Sequence, residues 1–583
     1  MQRQTHISTA TAIHCGRGED NPATCCAVKI SFSKSVILIA LVAACSDPDA
    51  GRSDAATGGT LIISVGGDPE TLLPPIASTT TGQIVGDLVY DRLAEIGDSL
   101  NTVGDYGFQP RLAEAWAWAP DSLSIAFRMN PAARWHDGVP VRAGDVVFTY
   151  KLYSDSINGS PYAVSLAGID SVTAPDSLTA TIWFHQRSPM QFYDAVNTMS
   201  ILPQHILGAV RGPELRASSL SRTPVGSGRF RFVKWNTGQS IELAADTSNY
   251  RHRPNLDRVI ITIAPDINTA LTRLAGGEAD MLEQIPAASF ATVAKDTSLR
   301  ISLTNGLDYN FVQFNLNDPK ARSRAHRLFG EKEVRRALTM ALDRRSIVRN
   351  AYDSLADVAV GPTVRAYPTT DPSLRQIPFS RDAAKKTLDS LGWKDLNGDG
   401  VREKNGTTLE FTLSVPAPSA ARRSMAVLIQ EQLGSVGAKV NIDVLDIPAF
   451  VDRQNRRAFD AVMGGWHVEP SPGGIRQTWG SGGAESDNGS NYGSYRNPIF
   501  DSYVDSALSS GTLSDRRAHF SRAYQTIVDD APAIWLAEPK RVMAIHKRIR
   551  TVGLRPDAWW ANIAEWSIPA GERIARDRIA TGR

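Results

Sequence analysis

The run Gly464-Gly465-Trp466-His467-Val468-Glu469 places a carboxylate three residues after an indole, with an imidazole between them. A carboxylate supplies a fixed counter-charge for a cation, and a charge-assisted hydrogen bond is stronger inside a dry cleft than in water. Trp466 offers a flat apolar wall beside it. Spacing alone reads more plainly, with Glu469 as a solvated loop residue and Trp466 as a core filler. His467 is a candidate ligand for a metal or metal chelate, yet the ten histidines are scattered and none forms His-Glu-x-x-His, so it is a single imidazole without partners. Asp395-Leu396-Asn397-Gly398-Asp399-Gly400 mimics the start of a calcium loop, but its position 12 is Gly406 instead of the bidentate glutamate. It reads as a glycine-rich turn, and no metal is assigned. There is no Gly-x-Ser-x-Gly elbow, no glycine followed by lysine for a phosphate loop, and no third glycine after Gly226-x-Gly228. No cofactor and no catalytic apparatus are implied.

Such groups need a frame to hold them. The chain has 583 residues, with 63 basic against 61 acidic side chains, a balance that gives no electrostatic footprint for nucleic acid. At 42% hydrophobic and 21% charged it has globular composition, long enough for two to four lobes at roughly 100–200 residues each. All four cysteines (Cys15, Cys25, Cys26, Cys45) precede residue 46, so the body has no disulfide, zinc ribbon or cysteine nucleophile. From Thr60 onward, strands alternate with helices, which predicts an α/β architecture. Ile125, Phe127 and Met129 share one strand face, and residues 259–263 form a β-branched run for a buried strand. Val334, Ala337, Leu338, Ala341 and Leu342 predict a helix that leaves Arg335, Arg336 and Arg344 on its other side. Met425, Leu428 and Ile429 predict a second helix, followed by a strand with Val440, Ile442 and Val444. Phe520, Tyr524, Ile527 and Val528 predict a helix ending near Pro532, and the arginine-rich tail at 569–583 is expected to fray.

Residues 29–34 are basic and residues 35–44 (SVILIALVAA) are an apolar run of about ten, too short for a bilayer that needs roughly 20. Residues 1–44 therefore read as a signal-peptide region, lengthened by a start placed too far upstream, since Glu19 and Asp20 fit it badly. Val42-Ala43-Ala44-Cys45 resembles a bacterial lipobox, which implies lipid on Cys45, followed by a polar tether at 45–59. Two acyl chains at about 0.8 kcal/mol per buried methylene anchor a protein firmly.

Residues 110–150 carry a pattern with physical duties. Pro120-Asp121-Ser122 turns into a strand, Trp135-His136-Asp137-Gly138 forms a second turn, and Asp145 is placed to cap a helix bearing Val146, Val147 and Tyr150. This segment resembles the signature of the extracellular solute-binding proteins of family 5, the peptide- and nickel-binding receptors of ABC importers. Further blocks follow in order: Ile201-Leu202-Pro203-Gln204-His205, Pro224-Val225-Gly226-Ser227-Gly228, Ala341-Leu342-Asp343-Arg344, residues 392–400 and residues 497–508. Arg229 departs from the family's glycine-proline continuation, and Leu73 stands where aspartate is commoner.

The resemblance implies a two-lobed periplasmic-binding-protein-like clamp of type II, with an extra subdomain in the first lobe. Lobe one is expected at 60–305 with a return segment at 532–568, and lobe two at 306–531, closing over a solute by hinge bending. It implies a ligand-binding set of Gly465, Trp466, His467 and Glu469, with Glu469 pairing a ligand α-ammonium. Glutamate replaces the commoner aspartate there, so its reach differs by one methylene. The arginine that clamps a dipeptide carboxylate is missing from residues 414–420, and Arg422 and Arg423 fall on the following helix, which disfavours free dipeptides. Longer peptides held by backbone hydrogen bonds remain compatible. The expected protein is thus a monomeric, non-enzymatic receptor in the cell envelope. It would be lipid-anchored and would deliver peptide-like solutes to an ABC permease, with no nucleic-acid partner. The alternatives are an oligosaccharide or metal chelate as solute, with Trp466, Trp479, Trp559 and Trp560 as stacking surfaces, and a hydrolase as the different-class rival.

Overall fold

The computed structural model describes residues 57–485 and 489–578; Cys45 and the apolar run before it lie outside the described residues. The frame is one twelve-stranded mixed sheet. Its strands are β1 (Thr60–Val65), β2 (Phe230–Asn236), β3 (Ser240–Ala245), β4 (Arg258–Ile263), β5 (Met281–Leu282), β6 (Leu299–Asn305), β7 (Asp308–Phe314), β8 (Ala356–Val358), β9 (Glu410–Pro416), β10 (Lys439–Leu445), β11 (Ala461–His467) and β12 (Ala533–His546). They run in the order β10-β9-β11-β7-β12-β5-β1-β4-β3-β2, with β6 and β8 also paired to β12. β1 lies parallel between β4 and β5, and both its faces are buried, Leu61, Ile63 and Val65 on one and Thr60 and Ser64 on the other, as a strand covered on both faces requires.

β12 belongs to both halves of this sheet. Its first half pairs with β7 and β8, and from Lys540 onward it pairs with β6 and β5. The chain crosses from β6 to β7 at Gly306, directly against this changeover: a Cβ on Gly306 would stand 2.1 Å from the carbonyl oxygen of Pro539, a backbone clash that only glycine avoids. The return expected at residue 532 thus comes just before a strand whose first half still pairs with the 306–531 segment.

An antiparallel four-stranded sheet lies between β1 and β2 in the sequence. Its order is 113–118, 124–129, 179–184, 169–173. Ile125, Phe127 and Met129 are fully buried there, as their alternation predicts. Asp145 caps its helix (Ala143–Ser154) from inside the first turn: its carboxylate accepts from the Arg142 N–H at 2.8 Å and the Gln204 N–H at 2.9 Å. The helix Ala420–Gly434 connects the parallel pair β9 and β10, burying Met425 and Ile429, while β10 sits at the sheet edge and leaves Val444 48% exposed. The helix Leu513–Asp530 buries Phe520, Tyr524, Ile527 and Val528 as predicted.

Two expectations fail for one reason, that arginine reaches distant carbonyl and carboxylate oxygens. Arg335 and Arg344 are buried, not solvated. Arg335 donates to the Phe329, Asp530 and Ala531 carbonyls at 2.7–3.2 Å, satisfying the C-terminal end of the 513–530 helix, and Arg344 donates to the Ile377 carbonyl. The tail does not fray through Asp577. Arg548, 3% exposed, donates to both Asp280 oxygens at 2.7 and 2.8 Å and to Asp577 at 2.7 Å. Asp577 also accepts the Thr60 and Ile574 N–H groups, both at 2.8 Å, and Arg576 adds a 2.6 Å bond to Asp280.

Candidate functional site

A cavity of about 1170 Å³ opens between residues 74–200 on one side and residues 309–524 on the other, with Arg555, Asp557 and Trp560 at its edge. That exceeds the roughly 300–1,000 Å³ of pockets for drug-sized ligands. The first wall is built on the helix Thr80–Val89, started by Thr79, whose hydroxyl accepts from the Gly82 N–H, and on the short helix Gln191–Asn197. The second wall is the end of β11 with the loop that follows, faced by Tyr309 of β7 and by Tyr367.

The sequence-predicted residues divide here. Trp466, His467 and Glu469 all line the cavity, and Gly465 does not. Trp466 is half-buried, stacks on Tyr492 with ring centroids 6.1 Å apart, and leaves its buried indole N–H without a partner among the described residues. Glu469 is exposed to the cavity and has no hydrogen-bond or ion-pair partner among the described residues. His467 lies 3.1 Å from Asp308 through Nδ1, and that hydrogen bond raises its pKa. Gly465 makes room: a Cβ would stand 2.2 Å from the guanidinium of Arg422, which crosses there to donate to Asn310 Oδ1 at 2.9 Å.

Most charges on the walls are already neutralised. Arg92 pairs with Asp87 at 2.8 Å, and Trp560 donates to the other Asp87 oxygen at 2.9 Å. Arg555 holds Asp557 through two bonds of 2.6 and 3.0 Å and reaches Glu95 at 3.3 Å, while Arg111 donates to Glu95 at 2.8 Å. Burial alone would raise the Glu95 carboxyl, but Arg111, Arg555 and Arg92 hold it below the usual range. At the rim, Arg476 pairs with Asp505 and Arg187 donates to the Asp121 carbonyl. Asp194 is different. It lines the cavity without a side-chain partner among the described residues, and burial pushes its carboxyl up to about 7.

Sequence reasoning missed Asp194 and a set of tyrosines. Tyr153, Tyr162, Tyr193, Tyr309, Tyr367 and Tyr524 converge on the cavity from segments far apart in the chain, and no spacing rule links them. Tyr162 donates to the Ala77 carbonyl at 2.7 Å and Tyr367 to the Val468 carbonyl, which fixes the loop carrying Glu469. Burial foremost, then the nearby Glu469 charge, raises the Tyr193 and Tyr367 phenols, so both stay neutral donors. Trp479 and Trp559 are fully buried core residues outside the lining; of the tryptophans considered for stacking, Trp466 and Trp560 line the cavity. Asp395, Asp399 and Glu403 bring oxygens within 4.8 Å of one another, but on an exposed turn away from the cavity, where backbone N–H groups already bond all three carboxylates.

Residues 107–487 match the family described as bacterial extracellular solute-binding proteins, family 5 Middle. The chain belongs to this family. Among curated relatives of this family 5 protein, the oligopeptide-binding protein AppA of Bacillus subtilis (strain 168) is 30% identical over 557 residues, covering 92% of this chain and 97% of AppA. The AppA structure in complex with a nonapeptide superposes with a TM-score of 0.67 at 28% identity, covering 88% of this chain and 99% of that one. NikZ from Campylobacter jejuni in complex with Ni(L-His) gives a TM-score of 0.69 at 25% identity, covering 87% and 99%. The family 5 chain therefore has the two-lobed α/β fold expected from its sequence, and it is a solute-binding protein by family. Among the described residues, no helix is long and apolar enough to cross a membrane.

Proposed function

We propose that this protein captures peptide-like solutes in the cavity between its lobes and presents them to the permease of an ABC importer. The observation that carries this reading is an inter-lobe cavity of about 1170 Å³ whose loop places Glu469, free of any partner among the described residues, three residues after Trp466. Glu469 pairs the ligand's α-ammonium, Trp466 packs beside it, and the neutral Tyr193 hydroxyl, which accepts from Asn197 and keeps its own proton to donate, serves a backbone carbonyl, a mode that reads few side chains. The match to a relative named as an oligopeptide-binding protein over 92% of the chain supports peptides as the solute. The burial of Trp479 and Trp559 removes two of the surfaces on which a sugar would stack.

The lobes divide at Gly306 and at Pro539, where two adjacent chain crossings form the hinge, and Cys45 carries the lipid that keeps the receptor at the membrane. Intact mass of the mature protein tests the anchor: an internal, unmodified Cys45 refutes it. Calorimetric titration with peptides of five to nine residues tests the solute. Glu469→Gln is expected to weaken peptides with free amino termini by about tenfold or more and to spare their N-acetylated forms. Equal loss for both overturns the ion pair, and binding of oligosaccharides with no peptide overturns the peptide reading.

A further inference from the structure

The charge balance of the cavity wall carries a statement about which solutes fit. Among the described residues five acidic side chains line it, and three of them, Asp87, Glu95 and Asp557, are bonded to Arg92, Arg111 or Arg555. The rim arginines are engaged elsewhere, Arg187 with the Asp121 carbonyl and Arg476 with Asp505. What remains is acidic: Glu469 on one wall and Asp194 on the other. They stand on different elements, Asp194 on the helix Gln191–Asn197 and Glu469 on the loop that follows β11. A carboxylate withdrawn from water without a partner destabilises the protein that holds it, and a cation delivered to it restores the lost interaction.

We propose that Asp194 is a second cation subsite, so that the preferred solutes are peptides with a lysine or arginine side chain in addition to a free amino terminus. This rests on the peptide reading above and narrows it. The backbone and α-ammonium are held at the Trp466–Glu469 loop, and the basic side chain crosses the cavity past Tyr193 to the helix Gln191–Asn197. The paired arginines favour an acidic ligand group less than Asp194 favours a basic one, because their donors are already occupied. A carboxylate poised near neutrality in a cavity is a common mark of a functional site.

The test is a walk of single lysines through positions 1–5 of alanine pentapeptides, each compared by calorimetry with its ε-N-acetyl-lysine counterpart. In the wild-type protein one position is expected to favour free lysine by about 10- to 100-fold. That ratio should fall to about one in Asp194→Asn and persist in Glu469→Gln, with circular dichroism showing both variants folded. Should Asp194→Asn fail to fold, Asp194→Glu serves instead and is expected to shift the preferred position. Peptides that bind with no lysine preference, or a preference that survives in Asp194→Asn, overturn the inference and leave the peptide reading standing. Failure of every peptide to bind the wild-type protein overturns both.

Discussion

Two clusters of charge in this molecule are built from the same side chains and behave oppositely. Around Arg548, both oxygens of Asp280 and both of Asp577 accept hydrogen bonds, from arginine or from backbone N–H groups of 2.6–2.9 Å, and the cluster fastens residues 574–577 to β1. On the cavity wall, Arg92 and Arg555 settle three carboxylates in the same manner, but Asp194 and Glu469 are left over. The first arrangement serves the fold, because removing a partner strands a buried charge. The second leaves Asp194 and Glu469 without protein partners among the described residues, and the proposed peptide and cation sites rest on that difference.

Removing Arg548 should have the largest effect. Arg548→Met leaves Asp280 and Asp577 without their shared cation and is expected to lower unfolding free energy by about 3–5 kcal/mol in urea. A change below about 1 kcal/mol would place this cluster with ordinary surface pairs. Arg555→Met is the intermediate case. Glu95 keeps Arg111, so the expected loss is about 1–3 kcal/mol.

Asp194→Asn should act in the opposite direction. The folded carboxyl titrates near 7 against an ordinary 3.8, so in the empty protein its penalty is absent below about pH 4, grows as pH rises toward 7 and is complete above it. The variant is therefore expected to be more stable than wild type by about 1–3 kcal/mol at pH 8 and equal to it at pH 4. A destabilised variant at pH 8 would assign Asp194 to the fold.

The smallest effect is at Glu70, an exposed carboxylate that accepts from the Thr79 and Ser78 hydroxyls ahead of the helix Thr80–Val89. Burial alone would raise its pKa, but these bonds lower it from 4.5 to about 2. Its stabilisation is present above pH 4.5 and is lost as pH falls through about 2. Solvent screening limits the effect of Glu70→Gln to about 1 kcal/mol at pH 7, measured as a shift in thermal midpoint that disappears at low pH.

Periodicity identified elements wherever burial is one-sided. Ile125, Phe127 and Met129 declared a strand, and Phe520, Tyr524, Ile527 and Val528 declared a helix, because one repeating face meets the core. It failed at Arg335 and Arg344, where a long side chain reaches carbonyls that sequence distance hides. At the site, spacing alone favoured a solvated loop residue and a core filler; the family resemblance singled out Trp466 and Glu469, and both line the cavity. Asp194 was not legible, since its meaning depends on the absence of partners, a property of neighbours nearly 300 residues away. The six tyrosines share that difficulty: each is an ordinary aromatic residue until the fold brings them together.

The fastening of the tail also brings residues 57–60 and 573–577 together. Arg573 donates to the carbonyl of Thr57 at 2.7 Å, and the Asp577 carboxylate receives the Thr60 N–H. Residues 57–60 and 573–577 are therefore neighbours, and none of them lines the cavity. A short polar linker could join them into a ring, with new termini cut in an exposed loop such as 395–400, and such a circular permutant should keep the cavity and both walls intact.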